Sequence, residues 1–111
     1  MAEMIAKPQD NPVLKRFRAT VTEIYGDRVE RVVLFGSRAR GDAREDSDYD
    51  VAVFLRGYAP GTTTELYRLA DLSTAILDET GEFIHAMPYR AGSYEERTPL
   101  MHEIRAEGID L

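Results

Sequence analysis

The sequence predicts an α/β domain of the α+β kind, with a small mixed sheet of about three or four strands packed by helices. Three observations predict it. A Val- and Leu-rich run at 31–35 stops at Gly36, residues 48–55 alternate in character, and two stretches, 12–25 and 62–77, repeat apolar residues at helical spacing.

The elements follow in order. Residues 1–10, MAEMIAKPQD, are polar, lack a long apolar core and are expected to form a loose start, with one domain over 11–111. Asn11 caps and Pro12 opens a first helix whose stripe is Val13, Leu14, Phe17, Val21, Ile24 and Tyr25, and Gly26 ends it. Arg31 to Phe35 reads as a buried strand. After Gly41 the polar stretch to Ser47 reads as exposed loop, and Asp48 to Leu55 as a second strand. Pro60-Gly61 marks a turn. Thr62 and Glu65 make a capping-box pattern for a helix with Leu66, Leu69, Ala70, Ser73, Ile76 and Leu77 facing inward. Gly81 precedes a third strand at Glu82 to Met87, Ser93 with Glu96 caps one turn, and Thr98-Pro99 starts a last helix that packs Leu100, Met101 and Ile104 before Gly108.

Composition narrows the function. At 111 residues with 43% hydrophobic content, the chain has material for one compact core and none for a second domain. A net charge of -6 argues against a nucleic-acid surface, which is normally basic. No cysteine means no disulfide framework and no thiolate zinc site, and two distant histidines give little support for zinc. No stretch approaches a membrane span, so a cytoplasmic protein is expected.

The chemistry is concentrated between Gly36 and Asp50, reading GSRARGDAREDSDYD. A strand that breaks at Gly-Ser turns tightly and leaves unpaired amides, with the Ser37 hydroxyl, for a phosphate to accept from. Arg38 and Arg40 add positive charge there. Strand alternation puts Asp48 and Asp50 on one face with Ala52 and Phe54, and Tyr49, Val51, Val53 and Leu55 on the other. Two such carboxylates repel unless a cation sits between them or one is protonated. Magnesium suits the pair, because it takes one or two carboxylates together with phosphate oxygens and water. A calcium loop starting at Asp46 fails, since Val51 and Gly57 stand where Gly and Glu are required. A P-loop fails likewise, with Asp42 and Ala43 in place of Lys and Ser/Thr.

The string Gly36-Ser37-Arg38-Ala39-Arg40-Gly41, followed by Ser47-Asp48-Tyr49-Asp50-Val51, resembles the signature of the DNA polymerase β-like nucleotidyltransferase superfamily. Within it the chain looks like the minimal (MNT-type) members of bacteria and archaea, including an ending similar to Thr98-Pro99-Leu100 through Glu107-Gly108-Ile109. The resemblance implies a nucleotidyltransferase fold, with Gly36 and Ser37 on the nucleotide phosphates and catalytic Asp48 and Asp50 coordinating magnesium, two ions in all. Arg38 and Arg40 lie within the matching string, and their charge suits phosphate contact. Active members usually bring a third carboxylate from a later strand. The segment that should carry it reads EFIHAM, so Glu82, at its start, and His85, in its middle, are the candidate substitutes.

The expected activity is transfer of AMP from ATP to a hydroxyl. The resemblance further implies a HEPN-domain toxin as partner, with this chain as antitoxin adenylylating one of its tyrosines, in a homo- or hetero-oligomer. A catalytically weak or inactive nucleotide- or partner-binding antitoxin is the alternative, suggested by the missing acid. Small-molecule modification is disfavoured because it generally uses an added domain. Tyr89 and Tyr94 are read either as base-stacking or as closing the edge of the core.

Overall fold

Asn11 and Pro12 start the first helix as their chemistry dictates: the Asn11 carboxamide oxygen accepts from the Val13 and Leu14 N–H groups, and Pro12 fills the first position, where no donor is needed. This computed structural model describes residues 7–111. Of the start expected to be loose, residues 1–6 lie outside the described residues, and Pro8–Asp10 form one short 3-10 turn. The order is α1 (Pro12–Tyr25), β1 (Val29–Phe35), α2 (Ser37–Arg40), β2 (Tyr49–Leu55), α3 (Thr64–Thr80), β3 (Ile84–Arg90), α4 (Pro99–Glu107) and β4 (Ile109–Asp110).

The four strands form one mixed sheet in the order β3-β2-β1-β4. β1 runs antiparallel to β2 and to β4, while β2 and β3 are parallel, joined by α3 as a crossover. Alternation along β2 sorts its residues between two cores. Tyr49, Val51, Val53 and Leu55 pack with α1 and α3, whereas Ala52 and Phe54 meet Met101 and Ile104 of α4 on the other side. With both faces covered, Val51 through Leu55 are wholly buried and make β2 the spine of the molecule.

Several boundaries and faces differ from the sequence reading. β1 begins two residues early, at Val29, and a register irregularity between Val29 and Arg31 absorbs the extension. The third strand starts at Ile84, not Glu82, and runs through Pro88 to Arg90. Proline is tolerated because β3 is an edge strand. In α3 the cap position is Thr63, without a side-chain cap bond, while the Thr62 hydroxyl donates to the Ala59 carbonyl instead. That helix is also rotated from the expected stripe: Glu65, Leu69, Leu72, Ser73 and Ile76 are buried, and Leu66, Ala70 and Leu77 are exposed. Glu65 faces Arg28 at 3.5 Å, an ion pair that gives a buried carboxylate a partner and holds this rotation. Ile24 and Leu100 are exposed rather than packed. Ser93–Glu95 form a 3-10 turn without a side-chain cap, because the cap position falls on Gly92 and not on Ser93, while Glu96 pairs with Arg90 at 2.9 Å. Tyr89 stacks on Phe54 and Tyr94 meets it edge to face, with ring centroids at 5.5 and 5.7 Å, and so they close the core's edge. Among the described residues no helix is long and apolar enough to cross a membrane.

Candidate functional site

The site begins where β1 ends. Phe35 pairs with Asp50 across the antiparallel ladder, so the chain leaves β1 beside the start of β2. Gly36 follows at φ 75°, ψ −160°, a conformation essentially confined to glycine. A Cβ here would strike the Asp50 carboxylate, so the absence of a side chain lets that carboxylate lie against the turn. Ser37–Arg40 then make a single helical turn, closed by Gly41 in the left-handed region at φ 86°. Ala39 and Arg40 donate to the Gly36 carbonyl, both at 3.0 Å. Among the described residues the N–H groups of Ser37 and Arg38 find no acceptor, nor does the Ser37 hydroxyl have a partner. These groups are the donors on offer.

The two arginines of the turn have different partners. Arg38 donates to the Ser47 carbonyl at 2.8 and 3.1 Å and to that of Glu45 at 3.0 Å, and its guanidinium lies 4.5 Å from the Tyr49 ring centroid. It fastens the 42–48 loop to β2. Arg40 points to carboxylates, reaching Asp42 at 3.2 Å and the two oxygens of Glu107 at 3.1 and 3.2 Å. Hydrogen bonds to Asp42 and then Glu107 raise its pKa further above the ordinary arginine value. Glu107 also accepts from the Gly36 N–H at 2.9 Å, so the amide assigned to phosphate from sequence is engaged by a carboxylate. The glycine-serine string did not point to Glu107, which lies 71 residues from Gly36. Its signal was membership of the family-like ending Glu107-Gly108-Ile109, which named the residue without giving it a role at the turn.

Asp50 is half-buried, and Asp48 sits exposed one residue before β2. Neither accepts a hydrogen bond from a described residue, and no three His, Cys, Asp or Glu side chains among those residues form a metal cage. Asp50 against the Gly36 turn, with the accessible Asp48 just before β2, offers carboxylates that fit magnesium arriving with a nucleotide, since such an ion draws most of its shell from phosphate and water. Of the two candidates for the third acid, the structure brings only His85 to Asp50. His85 faces Asp50 in the parallel ladder, with Nδ1 3.6 Å from the Asp50 Oδ1. Glu82 instead accepts from the Tyr49 hydroxyl at 3.0 Å, on the α1 face of the sheet.

Comparison with known proteins gives a consistent picture. The family described as nucleotidyltransferase domain matches residues 14–98. Two relatives from Methanocaldococcus jannaschii, both provisionally named protein adenylyltransferases, share 43% identity over 44 residues (40% of this chain, 44% of the relative) and 30% over 78 residues (70% and 71%). The match thus spans less than half the length of the first relative. A crystal structure of a toxin-antitoxin with AMP-PNP superposes with TM-score 0.59 at 17% identity, over 86% of this chain and 70% of that one. A provisionally named nucleotidyltransferase from Sulfolobus solfataricus superposes with TM-score 0.55, again at 17% identity, over 88% and 75%. At that identity the two structures establish the fold.

Proposed function

The chain belongs to the nucleotidyltransferase domain family, and on that premise we propose that it transfers AMP from ATP to a hydroxyl of a protein acceptor. The observation that carries this reading is the contact between Gly36 and Asp50, which sets free phosphate donors beside a metal-binding carboxylate. Ser37, through its N–H and hydroxyl, and the Arg38 N–H hold the triphosphate, and Arg40 offsets its charge. Asp48 and Asp50 hold magnesium, which when bound supplies positive charge against the triphosphate and the leaving pyrophosphate. The acceptor oxygen attacks the α-phosphorus in line as the bond to pyrophosphate breaks, leaving a phosphodiester to AMP. Its proton goes to Nε2 of His85, whose Nδ1 side faces Asp50.

The names of the two archaeal relatives support a protein acceptor, and the toxin-antitoxin neighbour supports a toxin partner. A tyrosine of a HEPN-domain toxin is the acceptor we assign, on the resemblance to minimal nucleotidyltransferases. The absence of cysteine and the acidic charge suit a cytoplasmic partnership with protein rather than nucleic acid.

A second reading is favoured by one observation: a histidine, not a carboxylate, stands beside Asp50. In that reading the chain is an inactive antitoxin that neutralises its partner by covering it. One experiment separates them. Labelled ATP, magnesium and the candidate toxin are incubated with the native chain or with Asp48→Asn/Asp50→Asn, and toxicity rescue is scored in parallel. The enzyme reading expects label on the toxin and loss of both transfer and rescue in the double variant. Rescue that persists without transfer establishes the second reading, and transfer unchanged in the variant removes the proposed metal site.

A further inference from the structure

Glu107 ends α4 with its side chain only 15% exposed, its carboxylate lodged against the Gly36 N–H at 2.9 Å and against Arg40 Nη1 at 3.1 and 3.2 Å. The Gly36 N–H and Arg40 adjoin the free Ser37 and Arg38 donors, so a phosphate seated there lies within the same turn and competes with Glu107 for them. One N–H cannot serve a carboxylate and a phosphate oxygen at full strength, and two anions left side by side repel each other. Asp50, packed against the same glycine, adds a further negative charge. We propose that Glu107 is an internal competitor of the triphosphate: it holds Gly36 and Arg40 in the empty site and leaves when phosphate takes them, loosening the end of α4 from the turn. The inference rests on the nucleotide reading of the site and adds its regulation. Nucleotide occupancy is thereby felt by the C-terminal helix, which is otherwise anchored by Met101 and Ile104 under Phe54.

Glu107→Gln tests it, because glutamine keeps the length and an acceptor for the Gly36 N–H but removes the charge that holds Arg40. Calorimetry with magnesium-ATP, and separately with tripolyphosphate, should show binding about tenfold tighter than in the native chain, the factor expected if the latched state outnumbers the open one by about ten to one. In the native chain, amide exchange over residues 100–107 should quicken on saturation with ATP. Equal or weaker ATP binding by the variant overturns the latch while leaving the nucleotide site standing, and describes a Glu107 that braces Arg40 for phosphate. Unchanged exchange over residues 100–107 in a native chain that binds ATP also overturns it. If neither protein binds ATP, latch and nucleotide site fall together.

Discussion

At the scale of single residues, Gly36 links the turn to the acid. Its positive φ demands glycine, and independently the Asp50 carboxylate occupies the space a Cβ would need. Gly36→Ala should therefore cost about 1–3 kcal/mol in backbone strain and also displace Asp50. Expected are a lowered urea midpoint and a loss of magnesium-ATP binding larger than the stability change explains, read by calorimetry at a temperature where the variant is folded. Native-like binding in that variant would show that the Gly36–Asp50 contact is incidental. The tight bend at Gly36 beside the strand that carries Asp50 was legible in sequence, because a Val- and Leu-rich run that stops at Gly-Ser marks the turn. The contact of Glu107 with that bend was not, because a glutamate in the last turn of an amphipathic helix is indistinguishable from solvated charge until the helix is docked. Arg38 shows a third case: its charge was visible, but its attachment to the Ser47 and Glu45 carbonyls depends on how the 42–48 loop folds back.

At the scale of elements, legibility followed local chemistry. Asn11-Pro12 and Thr98-Pro99 carry their own start signals, and both side chains cap as expected, Thr98 accepting from the Met101 N–H. The rotation of α3 was hidden because Leu66, Ala70 and Leu77 match helical spacing as well as the buried set does, and the Arg28–Glu65 pair that decides between them joins distant residues. β4 was hidden because two residues, Ile109 and Asp110, have no period to read, and only their pairing with Leu34 and Val33 makes them a strand. Gly108 makes that pairing possible. It is extended at φ −70°, so its backbone is unstrained, but a Cβ would run into the Ile104 carbonyl and the Val33 side chain. Gly108→Ala should accordingly destabilise by about 1–3 kcal/mol through overpacking, and faster amide exchange at Ile109 to Leu111 should accompany the shift in urea midpoint. An unchanged midpoint would mean that α4 and β4 can part without cost.

At the scale of the whole molecule, both faces of the sheet bury tyrosine. Tyr25 and Tyr49 belong to the core under α1 and α3, and Tyr89 packs on the core under α4. For all three, burial is the largest cause raising the phenol pKa above its ordinary value of 10.0, with Glu65 adding to it at Tyr25. At Tyr49 the Glu82 bond pushes the same way, while the Asn11 bond and Arg38 oppose it. A phenol that stays protonated in the fold but ionises in the unfolded chain contributes its full stability below pH 10. That contribution is lost as pH rises toward the folded value, because the unfolded state then binds fewer protons. Each such tyrosine removes at most about 1.4 kcal/mol per pH unit in this window, and less where the ring is partly exposed. The urea midpoint should therefore hold below pH 10 and fall above it, with tyrosinate absorbance rising together with unfolding. Tyr89→Phe isolates one contribution, since burial alone raises that phenol and phenylalanine keeps the stack on Phe54. It should match the native chain at neutral pH and lose stability less steeply above pH 10. If Tyr89→Phe follows the native alkaline curve, or if all the phenols ionise while the chain stays folded, burial is not what couples these tyrosines to the stability of the sheet.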